Sequence, residues 1–215
     1  MAIVLDHLAI FAPDLATGVA YVRDVLGATP APGGQHPQMG THNALLRLGA
    51  DVYLEIIACD PAGRRPDTHK TWFELGDPNI THQNWNEGRR LRGMVASTRE
   101  IDRSIAVAPT EFGQPMRLTR GANEWTFDVR GDGHLPGNGT LPHLIDRGQG
   151  TSPASRLPDA GCKLLDLVLE TPANRAEIAR TYAALRFQRA PRLCAGRTTR
   201  LIAAIETPSG VRILG

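Results

Sequence analysis

No apolar run reaches the ~18 residues that a membrane-spanning helix needs, so a transmembrane class is excluded. Cysteine is scarce: Cys59, Cys162 and Cys194 are odd in number and show no short paired spacing. They support neither a disulfide scaffold nor a structural zinc knuckle, and a reducing cytoplasm is the expected setting. An excess of one charge sign is also missing. Lys and Arg total 24 against 22 Asp and Glu, a formal net charge of +2, which leaves no basic footprint for nucleic acid although Arg is favoured over Lys. The opening MAIVLDHLAI lacks a basic leader and a small-residue cleavage site and carries Asp6 and His7, so a strand is expected there and not a signal peptide. No Gly-x-Ser-x-Gly elbow occurs, and no cysteine has an obvious histidine partner, so nucleophilic catalysis has no support. The glycine-rich GDGHLPGNG at residues 131–139 lacks the Lys-Ser/Thr ending of a phosphate loop and does not lead into a helix.

What is present is a chain of 215 residues, 41% hydrophobic and 21% charged, long enough to bury a core as one large domain or as two or three small modules. Residues 3–11 read as a central strand, with Ile3, Leu5, His7, Ala9 and Phe11 on one face and Val4, Asp6, Leu8 and Ile10 on the other. Pro13 ends it, Asp14 is a good N-cap, and Leu15, Val19, Val22 and Leu26 recur at helical spacing until Gly27. Residues 29–40, with three prolines and three glycines, are expected to be a loop without regular structure, of the kind that serves as a lid or binding loop. Residues 42–48 and 52–59 read as a hairpin. The expected organisation is a first βαβββ module at 1–60, a connection at 61–90 with a short helix near 71–75, a second βαβββ module at 91–147, a linker at 148–161, and a third, degenerate βαββ module at 162–215. The third reading rests on an internal repeat. One shift of 159 positions carries Pro13 onto Pro172 and Val52 onto Val211, and replaces His7 by Asp166 and Glu55 by Leu214.

His7 and Glu55 are polar residues inside apolar, strand-like runs, where a titratable side chain needs a partner or a chemical role. If the two runs lie in one sheet, the pair faces one concavity and makes half of a divalent-metal site. His36, His42 and Asn43 stand at or beside the Pro/Gly loop. They are candidates for substrate contact, or for satisfying the backbone of a tight turn as Asn43 and Thr41 readily would. His143 is a further candidate, whereas His69 and His82 belong to a polar connection and are expected to be solvated.

The segments LDHLAIFAPDL, GGQHPQMGTHNALLRLG, YLEIIACDP and LPHLIDRG resemble the glyoxalase-like members of the vicinal oxygen chelate superfamily, over roughly residues 3–147. That resemblance implies an α+β fold of paired βαβββ modules whose antiparallel-rich mixed sheets curl into an open cup. It also implies a small, oxygen-rich ligand and, in the metal-using members, a divalent ion (Fe, Mn, Ni or Zn) supporting isomerase, lyase or dioxygenase chemistry. Residue by residue, it assigns His7 and Glu55 as metal ligands, with Glu55 also moving a proton. The second module departs from the pattern, with Gly93 or Met94 where a histidine is usual. His143 and Asp146 both fall near the last strand, and either His143 or His42 is left to complete the donor set. The rival expectation is a metal-free binding or sequestering module, and a third is an interaction protein that forms a homodimer through its third unit. Neither nucleic acid nor a membrane is an expected partner.

Overall fold

The computed structural model describes residues 2–63, 71–121 and 123–215, so the expectation for His69 falls outside the described residues. The chain folds as α+β, with an eight-stranded sheet curled into a half-barrel and a four-stranded sheet stacked against it. The first module runs β1 (Val4–Phe11), α1 (Leu15–Leu26), β2 (Ala31–His36), β3 (Thr41–Arg47) and β4 (Tyr53–Cys59). After α2 (Pro78–Asn86), the second runs β5 (Leu91–Ser97), α3 (Ile101–Ile105), β6 (Gln114–Arg120), β7 (Asn123–Val129) and β8 (His143–Asp146). Their strands join in the order β2-β3-β4-β1-β5-β8-β7-β6, so the two first strands, β1 and β5, meet antiparallel at the centre.

Local chemistry sets these elements. Asp14 accepts the backbone N–H of Thr17 at 2.8 Å to start α1, and Gly27, at φ 67°, ends it in the left-handed conformation. The helix lies so close to β4 that a Cβ on Gly18 would stand 2.5 Å from Cγ2 of Ile56. Two sequence expectations are corrected. Residues 29–40 contain the strand β2: at the sheet edge Pro32 needs no ladder donor, and a bulge between Pro32 and Gln35 absorbs the glycine pair. The helix expected at 71–75 is a run of turns, and the real helix, α2, starts at Pro78 behind the N-cap Asp77.

The third unit runs β9 (Lys163–Thr171), α4 (Arg175–Leu185), β10 (Arg192–Ala195), β11 (Arg200–Thr207) and β12 (Gly210–Leu214), one strand more than βαββ. Its order is β10-β9-β11-β12, so β9 pairs with β11, whereas β1 pairs with β4. The sequence repeat therefore does not extend to strand pairing. The unit packs Leu167, Leu169, Leu201 and Ile205 into one core with Leu5, Leu8, Ile10, Leu54 and Ile56 on the outer face of the large sheet. Backbone bonds between Gln188 and Ile3 (2.8 Å) and between Leu164 and Leu48 (3.2 Å) stitch it there. The opposite face carries a second core, with Phe11, Ile57, Val95, Phe127 and Ile145 under Trp72 and Phe73.

A bulge decides which residues of β1 reach which face. Leu5 pairs with Ala96 and His7 with Val95, so Asp6 is an extra residue. Leu5 consequently joins Leu8 and Ile10 on the outer side instead of sharing the face of His7, as unbroken alternation would require.

Candidate functional site

The inner face of the half-barrel encloses a cavity of about 530 Å³. His7, Asn43, Glu55, His36 and Tyr53 line its first-module wall, with Arg120 and Trp125 on the facing β6–β7 hairpin. His7 and Glu55 do share one hollow: Nε2 of His7 lies 3.4 Å from Oε2 of Glu55, and both side chains are nearly fully buried. On the other side of the ring, Nδ1 donates to Oδ1 of Asp6 at 2.7 Å. Asp6 in turn accepts from Arg147, Nη2 to Oδ1 at 2.8 Å and Nε to Oδ2 at 3.2 Å, while Arg147 also donates to the hydroxyl of Tyr53 at 3.0 Å. Tyr53 stacks on the imidazole, with ring centres 4.5 Å apart. An unbroken line of contacts thus runs Arg147, Asp6, His7, Glu55.

This line sets the protonation states. Burial opposes the charge on Glu55, but hydrogen bonding and attraction from His7, with His36 and Asn43 adding to them, outweigh it and hold the carboxyl down at about 2. Burial likewise opposes Asp6, and His7 and Arg147 hold it well below the usual carboxylate range. Burial works against a charged His7, yet hydrogen bonding and attraction from Asp6 first and Glu55 second raise its pKa and favour the charged ring. Burial raises Tyr53 well above its ordinary value and keeps it a neutral phenol.

Asn43 is oriented by the backbone. Its Oδ1 accepts the N–H of Gly34 at 2.8 Å, which leaves Nδ2 to donate to Oε1 of Glu55 at 2.5 Å. Gly33 is required beside it, since a Cβ there would meet Oδ1 of Asn43 at 2.0 Å. His36 is the neutral member. Nη1 of Arg120 stands 3.4 Å from its Nε2, and because guanidinium only donates, the ring proton lies on Nδ1, facing Oγ1 of Thr41 at 3.1 Å. Burial, reinforced by Arg120 and opposed by Glu55, lowers this histidine to about 4. Arg120 has no carboxylate within ion-pair distance among the described residues. Together with the bond from Thr119 N to Oε1 of Gln38 at 3.0 Å, it ties the β6–β7 hairpin to the opposite edge of the sheet.

Two expected site residues are not on the cavity wall. His42 alternates to the other face of β3, in step with Ala44 and Leu46. His143 is on the inner face but lies behind Phe73 and Phe127, with ring centres at 4.9 and 5.1 Å. Its Nδ1 donates to Oδ1 of Asp128 at 3.0 Å, and its Nε2 is buried with no hydrogen-bond partner among the described residues. Leaving that nitrogen unpaired costs about 1–3 kcal/mol. Phe73 and Glu74 have φ of 60° and 59°, left-handed backbone that costs about 1–3 kcal/mol per residue outside glycine. Asp6, Tyr53, Arg120 and Arg147, which complete the site, were not singled out from the sequence.

A four-donor metal site does not fit these residues. The N-caps Asp14 and Glu100 open the helices that follow β1 and β5, and setting them in correspondence carries His7 onto Gly93 and Ala9 onto Val95. Ala9 pairs with Glu55 and Val95 with His143, so Gly93 and His143 take the second-module places of His7 and Glu55. Gly93 has no side-chain donor and His143 lies behind Phe73 and Phe127, and among the described residues no group of three His, Cys, Asp or Glu side chains is arranged to hold a metal ion.

The model of a family described as "Glyoxalase-like domain" matches residues 5–186. The chain belongs to the glyoxalase-like domain family. Among solved structures, this glyoxalase-like chain is similar in fold to a hypothetical protein from Staphylococcus aureus, at 13% identity, covering 100% of this chain and 99% of that one with a TM-score of 0.66. A methylmalonyl-CoA epimerase in complex with methylmalonyl-CoA and ammonium matches at 16% identity over 71% of this chain and 100% of that one, TM-score 0.44. The methylmalonyl-CoA epimerase from Mycobacterium tuberculosis matches at 17% identity over 67% and 87%, TM-score 0.41. No match is found among curated proteins. Among the described residues no helix is long and apolar enough to cross a membrane.

Proposed function

We propose that the cup binds a small, oxygen-rich anion without a four-ligand chelate, its acidic group on Arg120 and a second oxygen over the His7–Glu55–Asn43 floor. The observation that carries this reading is charge balance. Asp6, Arg147, His7 and Glu55 cancel within their own line of contacts, whereas Arg120 reaches the same cavity beside the neutral His36 and the face of Trp125 (5.9 Å), with no carboxylate at ion-pair distance among the described residues. A cation so placed, half-buried in a concave site, is suited to a carboxylate or an enolate oxygen. The aromatic rings of Trp125, Trp72, Tyr53 and Phe127 supply flat apolar walls for the body of the ligand.

Glu55 does not serve as a general base in this state, because a carboxylate held near pKa 2 accepts protons poorly at neutral pH. Its role in the proposal is to hold His7 charged and oriented as a donor. Calorimetry with a panel of 2-oxo and 2-hydroxy acids tests the reading. At least one acid binds the wild type, and Arg120→Leu weakens it about tenfold or more, the worth of a charged hydrogen bond. Binding that is indifferent to Arg120→Leu, or the absence of binding across the panel, sinks the proposal. Elemental analysis of protein purified without chelator is expected to give well under one equivalent of Fe, Mn, Ni or Zn. A full equivalent that disappears in both His7→Ala and Glu55→Ala would restore the metal-assisted reading.

A further inference from the structure

We infer that His143, backed by Asp128 and covered by Phe73, is a second proton acceptor of the cup, reached by a ligand when Phe73 swings aside. The inference rests on the cup being a binding site and adds a reactive group that its visible wall lacks. His7, Val95 and His143 lie side by side on three adjacent strands. With inner-face side chains and neighbouring strands spaced ~4.8 Å, the two imidazoles flank Val95 across about 10 Å of floor. Each has an aspartate on Nδ1, Asp6 at 2.7 Å and Asp128 at 3.0 Å. Only their outer nitrogens differ in circumstance. Nε2 of His7 lies 3.4 Å from Oε2 of Glu55, while Nε2 of His143 has no hydrogen-bond partner among the described residues.

The donor and acceptor chemistry fixes what that nitrogen is. Nδ1 of His143 faces two oxygens of Asp128, the carboxylate at 3.0 Å and the carbonyl at 3.3 Å, so it must carry the hydrogen. In the neutral ring Nε2 then holds a lone pair. Asp128 is itself held in place by the backbone N–H of Leu144 at 2.7 Å. A side chain serving only to fill space here would gain by being phenylalanine or leucine, which would leave no nitrogen unpaired.

Phe73 is the part able to move. It lines the cavity on one side and touches the His143 ring edge-on on the other. Its backbone and that of Glu74 are both left-handed, a conformation held by the Glu74 N–H on the carbonyl of Gly133 (2.9 Å) and by Arg92 and His134 on the Glu74 carboxylate (2.5 and 3.2 Å). Opening relieves both the backbone strain and the unpaired nitrogen, and gives up the burial of one ring, so closed and open forms are set close in energy. In the open form an acidic O–H of the bound molecule, such as that of an enol, transfers its proton. The O–H bond breaks, Nε2–H forms, the electron pair stays on the ligand oxygen, and the imidazolium keeps its Nδ1–H on Asp128.

Two measurements that need no ligand test this separately from the binding proposal. Carbethoxylation by diethyl pyrocarbonate, read at each histidine by peptide mass spectrometry, reports accessible unprotonated imidazole. If the open form is populated at about 10% or less, Phe73→Ala speeds modification of His143 by about tenfold or more, with His82 unchanged. Phe73→Leu, which keeps an apolar filler, gives a smaller rise in the same direction. A folded Phe73→Ala protein in which His143 reacts no faster, or a wild type in which His143 reacts as fast as the exposed His134, overturns the gate. The second measurement is ¹⁵N NMR of histidine-labelled wild type. In the ring that carries one proton, that proton is expected on Nδ1 and not on Nε2, and the reverse tautomer overturns the assignment of a proton acceptor.

Discussion

Replacing Arg147 with methionine lowers the free energy of unfolding by about 3–5 kcal/mol, the cost of leaving one member of a buried ion pair without its partner. Asp6 is only 4% exposed, and burial alone would drive its carboxyl toward neutrality. Arg147 supplies two of its hydrogen bonds, and His7 the third. Removing the guanidinium therefore strands a carboxylate on the inner face of the sheet, frees the hydroxyl of Tyr53, and loosens the ring of His7. The comparison variant is Arg117→Met. Its ion pair with Glu124 is shorter, 2.5 Å against 2.8 Å, but lies in solvent, with side chains 72% and 49% exposed, and its loss is expected to cost less than about 1 kcal/mol. Urea unfolding of both variants decides the matter: equal losses would mean that water reaches Asp6 in solution.

The second large effect is acid sensitivity with a defined sign. The folded state holds Glu55 at about 2 against an ordinary 4.5, so the carboxylate stabilises the fold above 4.5 and loses that contribution as the pH falls from 4.5 through 2. The full difference is worth about 3 kcal/mol. Asp6 is depressed in the same direction, so its contribution goes at still lower pH. His7 has the opposite sign: its raised pKa gives stability that is complete below 6.5 and is lost as the pH rises through the folded value. Because Glu55 owes its shift mainly to His7, and His7 owes part of its own to Glu55 after Asp6, the shared part is one interaction and is counted once. Wild-type stability measured by urea unfolding at about pH 5 and about pH 3 falls steeply, and Glu55→Gln, which cannot ionise, removes the Glu55 part of that fall. An unchanged slope in the variant would place Glu55 in water and not against His7.

The part of the fold legible in the sequence is the part whose pattern is local. The N-cap Asp14, the left-handed Gly27 and the apolar spacing between them locate α1, and His7 and Glu55 stand out because polar groups in apolar strands are costly. What escaped was set by neighbours distant in the chain. β2 reads as a loop because its prolines and glycines are unfit for a sheet interior, and nothing local says that it lies at an edge. The charge on Asp6 is compensated by an arginine 141 positions away, and the face it occupies depends on a bulge that pairwise alternation cannot anticipate. His42 was grouped with Asn43 by adjacency, although neighbouring residues of a strand point to opposite faces. The correspondence of His143 with Glu55 needed strand register, which no spacing within a single module supplies.

The two modules furnish the cup with different chemistry. The first supplies His7, Asn43 and Glu55, and the second supplies Arg120 and Trp125. Neither module alone carries both the cation and the polar floor, so cutting the chain between α2 and β5 is expected to abolish the pocket even where each half keeps its strands.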